Sequence, residues 1–426
     1  MTAGGGLTAD STVVVVGASL AGWRAVETLR AEGFHGELTL LGEELHLPYD
    51  RPPLSKQVLA GTWPPEKAVL ADTKRIDALR VREVLGRRAV GLDTDGRKIE
   101  VDDGSLLQAD AIVLATGAAP RRLPNTEGLT QHDGLFTLRT LDDSMALRAA
   151  VTAAERTRVV VIGAGFIGSE VAWTCAGLGC RVTVLELMEI PLSNVVGPMI
   201  GAHCASLHGA NGVTLRTGVS VAGVRKGDGW EDGRLVVELA GGETLGADVV
   251  VVGIGVAPSV GWLEDSGVTL EDGVLCDDRL FAADGIVAAG DLARWGWRHD
   301  GGEELIRIEH WQVAAEAGVA AARSLLAGRA DAASFAPIPY FWSDQFGIRI
   351  QVLGNPSGDD TVEIVEGSLA EGKFVALFGR SGRLRAAMGI GRPRQLMEYR
   401  QLLQNGCRWD DALAHPASEG VTPANT

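Results

Sequence analysis

Lysine, cysteine and long apolar runs are all scarce in this chain of 426 residues. No apolar stretch approaches the ~20 residues that a membrane-spanning helix needs, and residues 1–10 have neither the basic residues nor the apolar core of an export signal. The formal net charge of −16 at pH 7 repels nucleic acids and anionic membrane surfaces. We therefore expect a cytoplasmic protein that binds neither nucleic acid nor membrane.

The cysteines are too few and too irregularly spaced to staple a fold or bind a metal. They are Cys175, Cys180, Cys204, Cys276 and Cys407. An odd number without paired ligand spacing argues against a disulfide framework and against a zinc site, so we expect reduced thiols and no metal. Hydrophobic residues, at 46% of the chain, are by contrast sufficient for the cores of two or three domains.

A strand that runs into a glycine-spaced turn and then a helix occurs twice, 146 residues apart. The first copy continues as GASLAG and the second as GAGFIG. The first glycine of such a turn permits the tight bend, the second lets a pyrophosphate approach the backbone, and the third lets the helix pack on the strand. The six positions are Gly17, Ser19 and Gly22 in the first copy and Gly163, Gly165 and Gly168 in the second. Both copies predict a dinucleotide site, although the first has serine at the middle position.

A carboxylate follows the next strand of each copy. Glu43 lies 21 residues after Gly22, and Glu186 lies 18 residues after Gly168. A carboxylate at this place accepts the ribose hydroxyls of an adenosine. Glu186 would repel a ribose 2′-phosphate, and residues 187–189 include no cation to bind one, so we expect NADH to be preferred over NADPH. The alternative is that Glu186 is only a solvated acid at a strand end.

Three further turns follow buried apolar strands. Their chemistry-bearing residues are Thr116 and Gly117 in the first turn, Gly253 and Gly255 in the second, and Asp291 in the third. Ligands of doubly wound sheets bind at the carboxyl ends of strands, which is where these turns lie. The carboxylate of Asp291 can accept a hydroxyl of a sugar-alcohol chain. The alternative for the first two turns is that they are ordinary crossover connections.

An alanine-rich helix is predicted to run from His310 and Trp311 to Leu326, with Gly328 after its end. Its N-terminal dipole can stabilise negative charge on a ring placed before it. With Asp291 available for a ribityl chain, these features are what a flavin requires, although Trp311 on its own fits a core aromatic equally well. Beyond Gly328 the pattern changes to short strands and one helix, without another dinucleotide loop.

Five motifs in order carry a resemblance to a known family. They are LPYDRPPLSK at 47–56, GAGFIGSE at 163–170, IVAAGDLAR at 286–294, EHWQVAAEAG at 309–318 and FWSDQFG at 341–347. Over residues 11–412 the chain resembles the FAD- and NADH-dependent ferredoxin reductases. The resemblance implies an α/β fold with two Rossmann-like, doubly wound dinucleotide-binding domains, as in glutathione reductase, plus an α+β C-terminal domain. The implied boundaries are 8–118 and 246–327 for the FAD domain, 119–245 for the NADH domain, 328–412 for the C-terminal reductase domain and 413–426 for a tail.

The cofactor contacts of the family fall on both glycine loops and on the turns after them. The resemblance implies that FAD binds Gly17, Ser19, Gly22, Glu43, Arg51, Lys56, Thr116, Gly117, Asp291 and Trp311. It implies that NADH binds Gly163, Gly165, Gly168, Glu186, Gly253 and Gly255. Within the FAD set, Glu43 would contact the ribose, Arg51 and Lys56 would lie near the pyrophosphate and the ring, and Trp311 would stand beside the flavin.

Lys56 stands out because the chain has six lysines against 33 arginines. In the family this lysine pairs with the glutamate that ends GAGFIGSE, which is Glu170 here. The resemblance therefore implies that Lys56, Glu170 and Trp311 are catalytic, with the Lys56 ammonium stabilising the reduced flavin and Glu170 restraining it. The alternative for Glu170 is an acid favoured near a helix N-terminus.

The resemblance implies electron transfer from NADH through FAD to a 2Fe-2S ferredoxin that feeds a Rieske dioxygenase or a haem-thiolate monooxygenase. A relay through a redox disulfide is disfavoured, because the segment RPPLSK contains no cysteine. Candidate docking residues for an acidic ferredoxin are Arg307, Arg349, Arg392 and Arg394. Two alternatives stay open: a redox-sensing NADH oxidoreductase that signals, resembling apoptosis-inducing factor, and an NADH-dependent reductase of the monodehydroascorbate type.

Overall fold

The computed structural model describes residues 6–8, 10–229, 233–299 and 302–415. The predicted tail of residues 413–426 lies outside the described residues from residue 416 onward. The chain divides into two compact units, each assembled from three segments. The first unit comprises Met1–Arg51, Pro65–Ala119 and Val256–Pro337, and the second comprises Pro52–Pro64, Pro120–Gly255 and Ile338–Thr426.

The first unit is built on a six-stranded sheet. From one edge to the other the strands are Phe281–Ala283, Ile286–Ala288, Ala111–Leu114, Thr12–Val16, Glu37–Gly42 and Arg82–Leu85. All neighbours are parallel except the edge strand Phe281–Ala283. Val13, Val15 and Ile112 have no exposed surface, as expected for parallel strands that are covered on both faces.

Two helices of the first unit, Leu20–Ala31 and Trp311–Ala327, pack against each other. Small residues permit their close approach, since a Cβ on Gly318 would lie 2.2 Å from the carbonyl oxygen of Ala21. The remaining elements of this unit are the helix Thr73–Ala78, the 3₁₀ turns Pro65–Ala68 and Gly261–Leu263, the antiparallel sheet Ala89–Asp93, Lys98–Val101 and Leu106–Gln108, and the sheet Val274–Cys276, Ala293–His299 and Gly302–Ile306. The short strands Ala118–Pro120 and Val256–Pro258 pair with each other.

The second unit contains a parallel sheet of five strands. In spatial order they are Thr214–Arg216, Arg181–Leu185, Arg158–Ile162, Val249–Val252 and Leu135–Phe136. The helices of this part are Gln57–Ala60, Leu141–Val151, Phe166–Gly177 and Ser193–Ala210, with 3₁₀ turns at Pro52–Ser55 and Gln131–Asp133. An antiparallel meander follows, made of Val221–Gly229, Gly233–Leu239 and Thr244–Ala247.

The C-terminal segment of the second unit forms a five-stranded antiparallel sheet. Its strands, in spatial order, are Tyr340–Gln345, Ile348–Gly354, Arg383–Ile390, Lys373–Arg380 and Thr361–Ser368. The helix Pro393–Gln404 buries Leu396 and Tyr399, and the short helix Trp409–Leu413 follows it. The predicted fold class is confirmed, with two parallel sheets of the dinucleotide-binding type and an α+β C-terminal part. The predicted domain boundaries stay a prediction.

Across the part of the chain that the structure describes, no helix has both the length and the apolar character of a membrane span. Over the same residues, no group of three or more histidine, cysteine, aspartate or glutamate side chains is arranged to hold a metal ion.

Candidate functional site

The carboxyl ends of four neighbouring strands of the first unit carry most of the residues predicted to bind FAD. The strands Ile286–Ala288, Ala111–Leu114, Thr12–Val16 and Glu37–Gly42 are adjacent and parallel. Their exits lead to Asp291, to Thr116 and Gly117, to Gly17, and to Glu43 respectively. One sheet edge of the first unit therefore gathers these residues, as the doubly wound architecture requires.

Glycine is required at the two ends of the first loop by neighbouring protein atoms. Gly17 has a φ of +119°, and a Cβ there would lie 2.1 Å from the Ala115 carbonyl oxygen. A Cβ on Gly22 would lie 2.0 Å from the carbonyl oxygen of Gly17. Between them, Ser19 precedes the first turn of the helix with an extended backbone and makes no side-chain capping bond. The N–H groups of this helix start are thus left for a phosphate.

The acid predicted to bind the FAD ribose has an acidic neighbour with a different task. Glu43 is exposed, whereas the Glu44 carboxylate accepts hydrogen bonds from Tyr49 Oη at 2.5 Å and from Arg51 Nη2 at 3.0 Å. The Arg51 guanidinium also lies 5.5 Å from the centre of the Tyr49 ring. Glu44 therefore positions Arg51, a role that the sequence did not reveal.

Trp311 is held by a carboxylate from the motif LPYDRPPLSK. Its indole Nε1 donates a hydrogen bond of 2.7 Å to Asp50 Oδ1. Burial raises the pKa of Asp50, and the hydrogen bond from Trp311 opposes that rise. Burial also lowers the pKa of the neighbouring His310 to about 4, although the charge of Asp291 opposes the shift. A neutral imidazole and an oriented indole therefore begin the helix Trp311–Ala327 at neutral pH.

The turn at Thr116 and Gly117 is tied to a later segment of the first unit. Thr116 Oγ1 donates to the Ser259 carbonyl oxygen at 2.9 Å, and Ser259 N–H donates to the Gly117 carbonyl oxygen at 2.9 Å. Gly117 has a φ of +69°, which favours glycine. These bonds fix the exit of the strand Ala111–Leu114 beside the first glycine loop.

In the second unit the predicted NADH residues lie at three adjacent strand ends. The strands Arg181–Leu185, Arg158–Ile162 and Val249–Val252 are parallel neighbours. A Cβ on Gly163 would lie 2.3 Å from the Gly253 carbonyl oxygen, and one on Gly168 would lie 2.1 Å from the Gly163 carbonyl oxygen. Protein atoms therefore require glycine at the first and third positions of this loop as well.

Gly165 is different, because no protein atom lies within 4 Å of the place where its Cβ would stand. Its φ of −70° is also available to any residue. The open space beside this backbone, at the start of the helix Phe166–Gly177, is where a pyrophosphate would approach in the pattern described above. The residues of the second unit thus fit a dinucleotide at this loop.

Glu186 bonds to the glycine loop itself. Its Oε2 accepts the Ala164 N–H at 2.7 Å, and its Oε1 accepts the Met188 N–H at 2.9 Å. The half-buried carboxylate keeps further acceptor positions for ribose hydroxyls. Arg216, which ends the neighbouring strand, is engaged by Glu243 through two bonds of 2.7 Å. That guanidinium is consequently occupied by a carboxylate.

Lys56 and Glu170 meet inside the second unit. Lys56 Nζ lies 2.8 Å from Glu170 Oε2, and the two side chains are 12% and 2% exposed. The same carboxylate accepts Ser55 Oγ at 2.5 Å, Ser343 Oγ at 2.7 Å and the Asp344 N–H at 3.2 Å. Four donors thus surround this buried carboxylate, which in turn holds the ammonium of Lys56 in place.

The short segment that carries Lys56 is anchored through its backbone. Ser144 Oγ donates to the Leu54 carbonyl oxygen at 2.7 Å, and Thr174 Oγ1 donates to the Ser55 carbonyl oxygen at 2.8 Å. Two buried hydroxyls from two helices therefore fix the turn Pro52–Ser55. The position of Lys56 depends on this fixed backbone as well as on Glu170.

Comparisons with known proteins cover nearly the whole chain. A family model described as pyridine nucleotide-disulphide oxidoreductase matches residues 11–318, and one described as reductase C-terminal matches residues 340–419. The chain is 36% identical over 395 residues to the ferredoxin reductase component of chlorobenzene dioxygenase from Cupriavidus sp. (strain PS12), which covers 92% of both chains. This chain belongs to the ferredoxin reductases of the pyridine nucleotide-disulphide oxidoreductase family.

Other ferredoxin reductases show the same extent of likeness. Putidaredoxin reductase from Pseudomonas putida is 32% identical over 399 residues, covering 93% of this chain and 92% of that one. The crystal structure of the covalent putidaredoxin reductase-putidaredoxin complex aligns with a TM-score of 0.88 at 30% identity, covering 97% of both chains. The expected family is therefore confirmed.

The four arginines suggested for ferredoxin docking differ in this reductase. Arg307 is only 10% exposed and is paired with Asp272 and Glu309. Arg349 is paired with Asp344, and Arg392 with Glu366. Arg394 is exposed. Three of the four guanidinium groups are therefore paired with carboxylates, and the choice among the four arginines stays a prediction.

Proposed function

We propose that this reductase transfers electrons from NADH through FAD to a 2Fe-2S ferredoxin, which feeds a Rieske dioxygenase or a haem-thiolate monooxygenase. The observation that carries the proposal is the match to dioxygenase reductase components over 92% of both chains. The absence of cysteine from residues 47–60 supports it further, because a relay through a disulfide would need thiols in that segment. FAD, when bound, accepts two electrons together and can release them one at a time.

The residues of the chain supply binding, orientation and charge. The open helix starts after Ser19 and Gly165 would hold the pyrophosphates of FAD and NADH. Lys56, fixed by Glu170, would place a positive charge for the reduced flavin, and this charge favours electron acceptance from NADH. Trp311, whose indole is fixed by Asp50, would stand beside the flavin. The neutral His310 beside it would leave the dipole of the helix Trp311–Ala327 as the positive influence there.

The preference for NADH over NADPH follows from the surroundings of Glu186. A carboxylate bonded to its own loop cannot swing away from a ribose 2′-phosphate, and it repels that group. Arg216, the guanidinium at the next strand end, is already paired with Glu243. We expect the double variant Glu186→Ala, Glu243→Ala to lower the ratio of NADH to NADPH turnover by about tenfold or more. An unchanged ratio would contradict this account of cofactor choice.

The test of the proposal is NADH-dependent reduction of purified 2Fe-2S ferredoxins, followed through coupled cytochrome c reduction. Ferricyanide serves as the control acceptor, because it needs no docking surface. The proposal expects a yellow protein whose turnover with at least one ferredoxin survives replacement of all five cysteines by serine. A colourless protein after reconstitution with FAD, or loss of turnover in the cysteine-free variant, would refute it.

Docking is tested with Arg394, one of the two exposed arginines among the four. The variant Arg394→Glu should raise the KM for ferredoxin several-fold and leave ferricyanide turnover unchanged. Arg97→Glu, an exchange at an ion pair with Asp284 in the first unit, is a charge-matched control.

The cytoplasmic location stays a proposal, supported by five cysteines that are all unpaired in the structure.

A further inference from the structure

The helix that begins at the second glycine loop ends in a Schellman turn. Gly179 has a φ of +87°, and its N–H donates to the Ala176 carbonyl oxygen at 3.0 Å. The Cys180 N–H donates to the Cys175 carbonyl oxygen at 3.1 Å. In this turn the third-last residue of the helix contacts the second residue after the helix cap. Both residues are frequently apolar. Here they are Cys175 and Cys180.

This geometry suits a covalent bond between the two sulfurs. The backbone hydrogen bond across the turn draws the two residues together, and their thiols are hydrogen-bonded to each other, so the two sulfurs are neighbours. Cys175 is completely buried, whereas Cys180 is partly exposed at the start of the strand Arg181–Leu185. Cys180 Sγ also donates a hydrogen bond to the Val151 carbonyl oxygen at 3.5 Å. The Cys180 thiol is therefore accessible to a small reagent, whereas the Cys175 thiol is shielded from solvent.

The charge state of the pair follows from the same contact. A hydrogen bond from the Cys175 thiol lowers the pKa of Cys180 against the effect of burial, and it raises the pKa of Cys175. Burial raises the pKa of Cys204 and of Cys276 to about 12 in each case. Burial raises the pKa of Cys407 as well, with a contribution from Asp411. Among the five cysteines, Cys180 is thus the one whose pKa is lowered.

We propose that Cys175 and Cys180 form a reversible dithiol site that hydrogen peroxide oxidises to a disulfide. The Cys180 thiolate attacks one peroxide oxygen, the O–O bond breaks, and a sulfenic acid and hydroxide result. The Cys175 sulfur then attacks Cys180 Sγ, forms the S–S bond and displaces hydroxide from the sulfenic acid. The two thiol protons convert the two hydroxides to water. Two thiols lose two electrons and two protons, and one peroxide becomes two waters. Two equivalents of an external thiol reverse the change.

This site lies apart from the proposed route of the electrons. That route uses the cysteine-free segment 47–60, whereas the thiol pair closes the far end of the helix Phe166–Gly177, opposite to the glycine loop. A disulfide would join this helix end to the strand that leads to Glu186. Oxidation of the two thiols can therefore be measured without any acceptor protein.

Peptide mass measurement on the reduced, full-length protein tests the proposal directly. Trypsin releases residues 159–181 as one peptide that contains both cysteines, because no lysine or arginine lies between Arg158 and Arg181. After brief exposure to hydrogen peroxide and trapping of free thiols with N-ethylmaleimide, this peptide should be unlabelled and lighter by two hydrogens. Dithiothreitol should restore both labels.

Two serine variants and one control separate the roles of the thiols. In Cys175→Ser, Cys180 should stop at the sulfenic acid, which dimedone traps, and in Cys180→Ser the peptide should resist peroxide. Cys407→Ser, which removes the other partly exposed thiol, should leave disulfide formation unchanged. In the reduced protein at pH 7, Cys180 should react with iodoacetamide at least about tenfold faster than Cys204 or Cys276. Two maleimide labels on peptide 159–181 after peroxide, or oxidation confined to Cys407, would overturn the proposal.

Discussion

The two glycine loops share their first and third positions and differ at the second. At Gly17 and Gly22, and again at Gly163 and Gly168, an added Cβ would strike a carbonyl oxygen of the protein itself. At the middle position the first loop has a side chain, Ser19, and the second has glycine with open space around it. The protein's own backbone therefore requires the outer glycines, whereas no protein atom requires glycine at the middle position of the second loop.

The acids that follow the two loops also differ in their contacts with the protein. Glu186 bonds to two backbone N–H groups and so shapes its own loop. Glu43 is exposed, and the adjacent Glu44 is engaged with Tyr49 and Arg51. The second loop thus depends on its acid before any ligand arrives, whereas the first loop does not.

The largest expected effect contrasts residues at equivalent places in the two helices, two residues after the third glycine. Glu170 is buried among four donors, while Arg24 on the first helix forms a surface pair with Glu27 and is 36% exposed. Glu170→Ala should lower the free energy of unfolding by about 3–5 kcal/mol, because it strands the Lys56 ammonium. Arg24→Ala should change it by less than about 1 kcal/mol. Urea titration followed by circular dichroism measures both, and equal losses would contradict the distinction.

The next effect concerns the outer glycines. Gly163→Ala forces a β-carbon into a backbone with a φ of +104° and against the Gly253 carbonyl oxygen. We expect a loss of about 2–3 kcal/mol in the free energy of unfolding, and a similar loss for Gly17→Ala. The same urea titration measures these losses on protein freed of FAD. A fully stable Gly163→Ala variant would show that the loop can open without cost.

Replacement of Glu186 and of Glu43 should weaken cofactor binding to different extents. Glu186→Ala removes both the ribose acceptor and the bonds to the Ala164 and Met188 N–H groups, so the Kd for NAD⁺ should rise about 10–100-fold. Glu43→Ala removes only an exposed acceptor and should weaken FAD binding less. Calorimetric titration of NAD⁺, and of FAD into the apoprotein, gives the two values. A larger loss for Glu43→Ala would reverse the order argued above.

The smallest effect is the most selective. Gly165→Ala should leave the urea midpoint unchanged, since its methyl group meets no protein atom within 4 Å. The same methyl would obstruct the pyrophosphate, and the Kd for NAD⁺ should rise about tenfold. Ser19→Gly in the first loop is the matched control, and it should bind FAD at least as well as the original. Destabilisation by Gly165→Ala would show that the loop itself needs this glycine.

Local sequence patterns were sufficient to predict both loops, their strands and the acids after them. These features repeat within a few residues, where turn geometry and apolar periodicity act directly. The pairing of Lys56 with Glu170 came only from the resemblance, because 114 positions separate the two residues. No spacing rule reaches that far along a chain.

The residues that hold the site could not be predicted for the same reason. Ser343 reaches Glu170 across 173 positions, and Asp50 reaches Trp311 across 261. Each contact exists only after separate segments have folded onto one another. Ser343 and Asp50 both lie within the family motifs, so the sequence identified them as motif residues but did not indicate which residues they contact. The ion pairs of Arg307 with Asp272 and Glu309 are a further example of contacts that the sequence does not indicate.

The strand Tyr340–Gln345 supplies two of the four donors to Glu170, and this has a consequence for engineering chimeric reductases. Exchanging the C-terminal segment with that of a relative, in order to change the redox partner, also exchanges the groups that keep Lys56 in place. A graft that brings a residue without a hydroxyl to position 343 would loosen the lysine even where every cofactor contact was retained. The graft junction should therefore fall after Asp344.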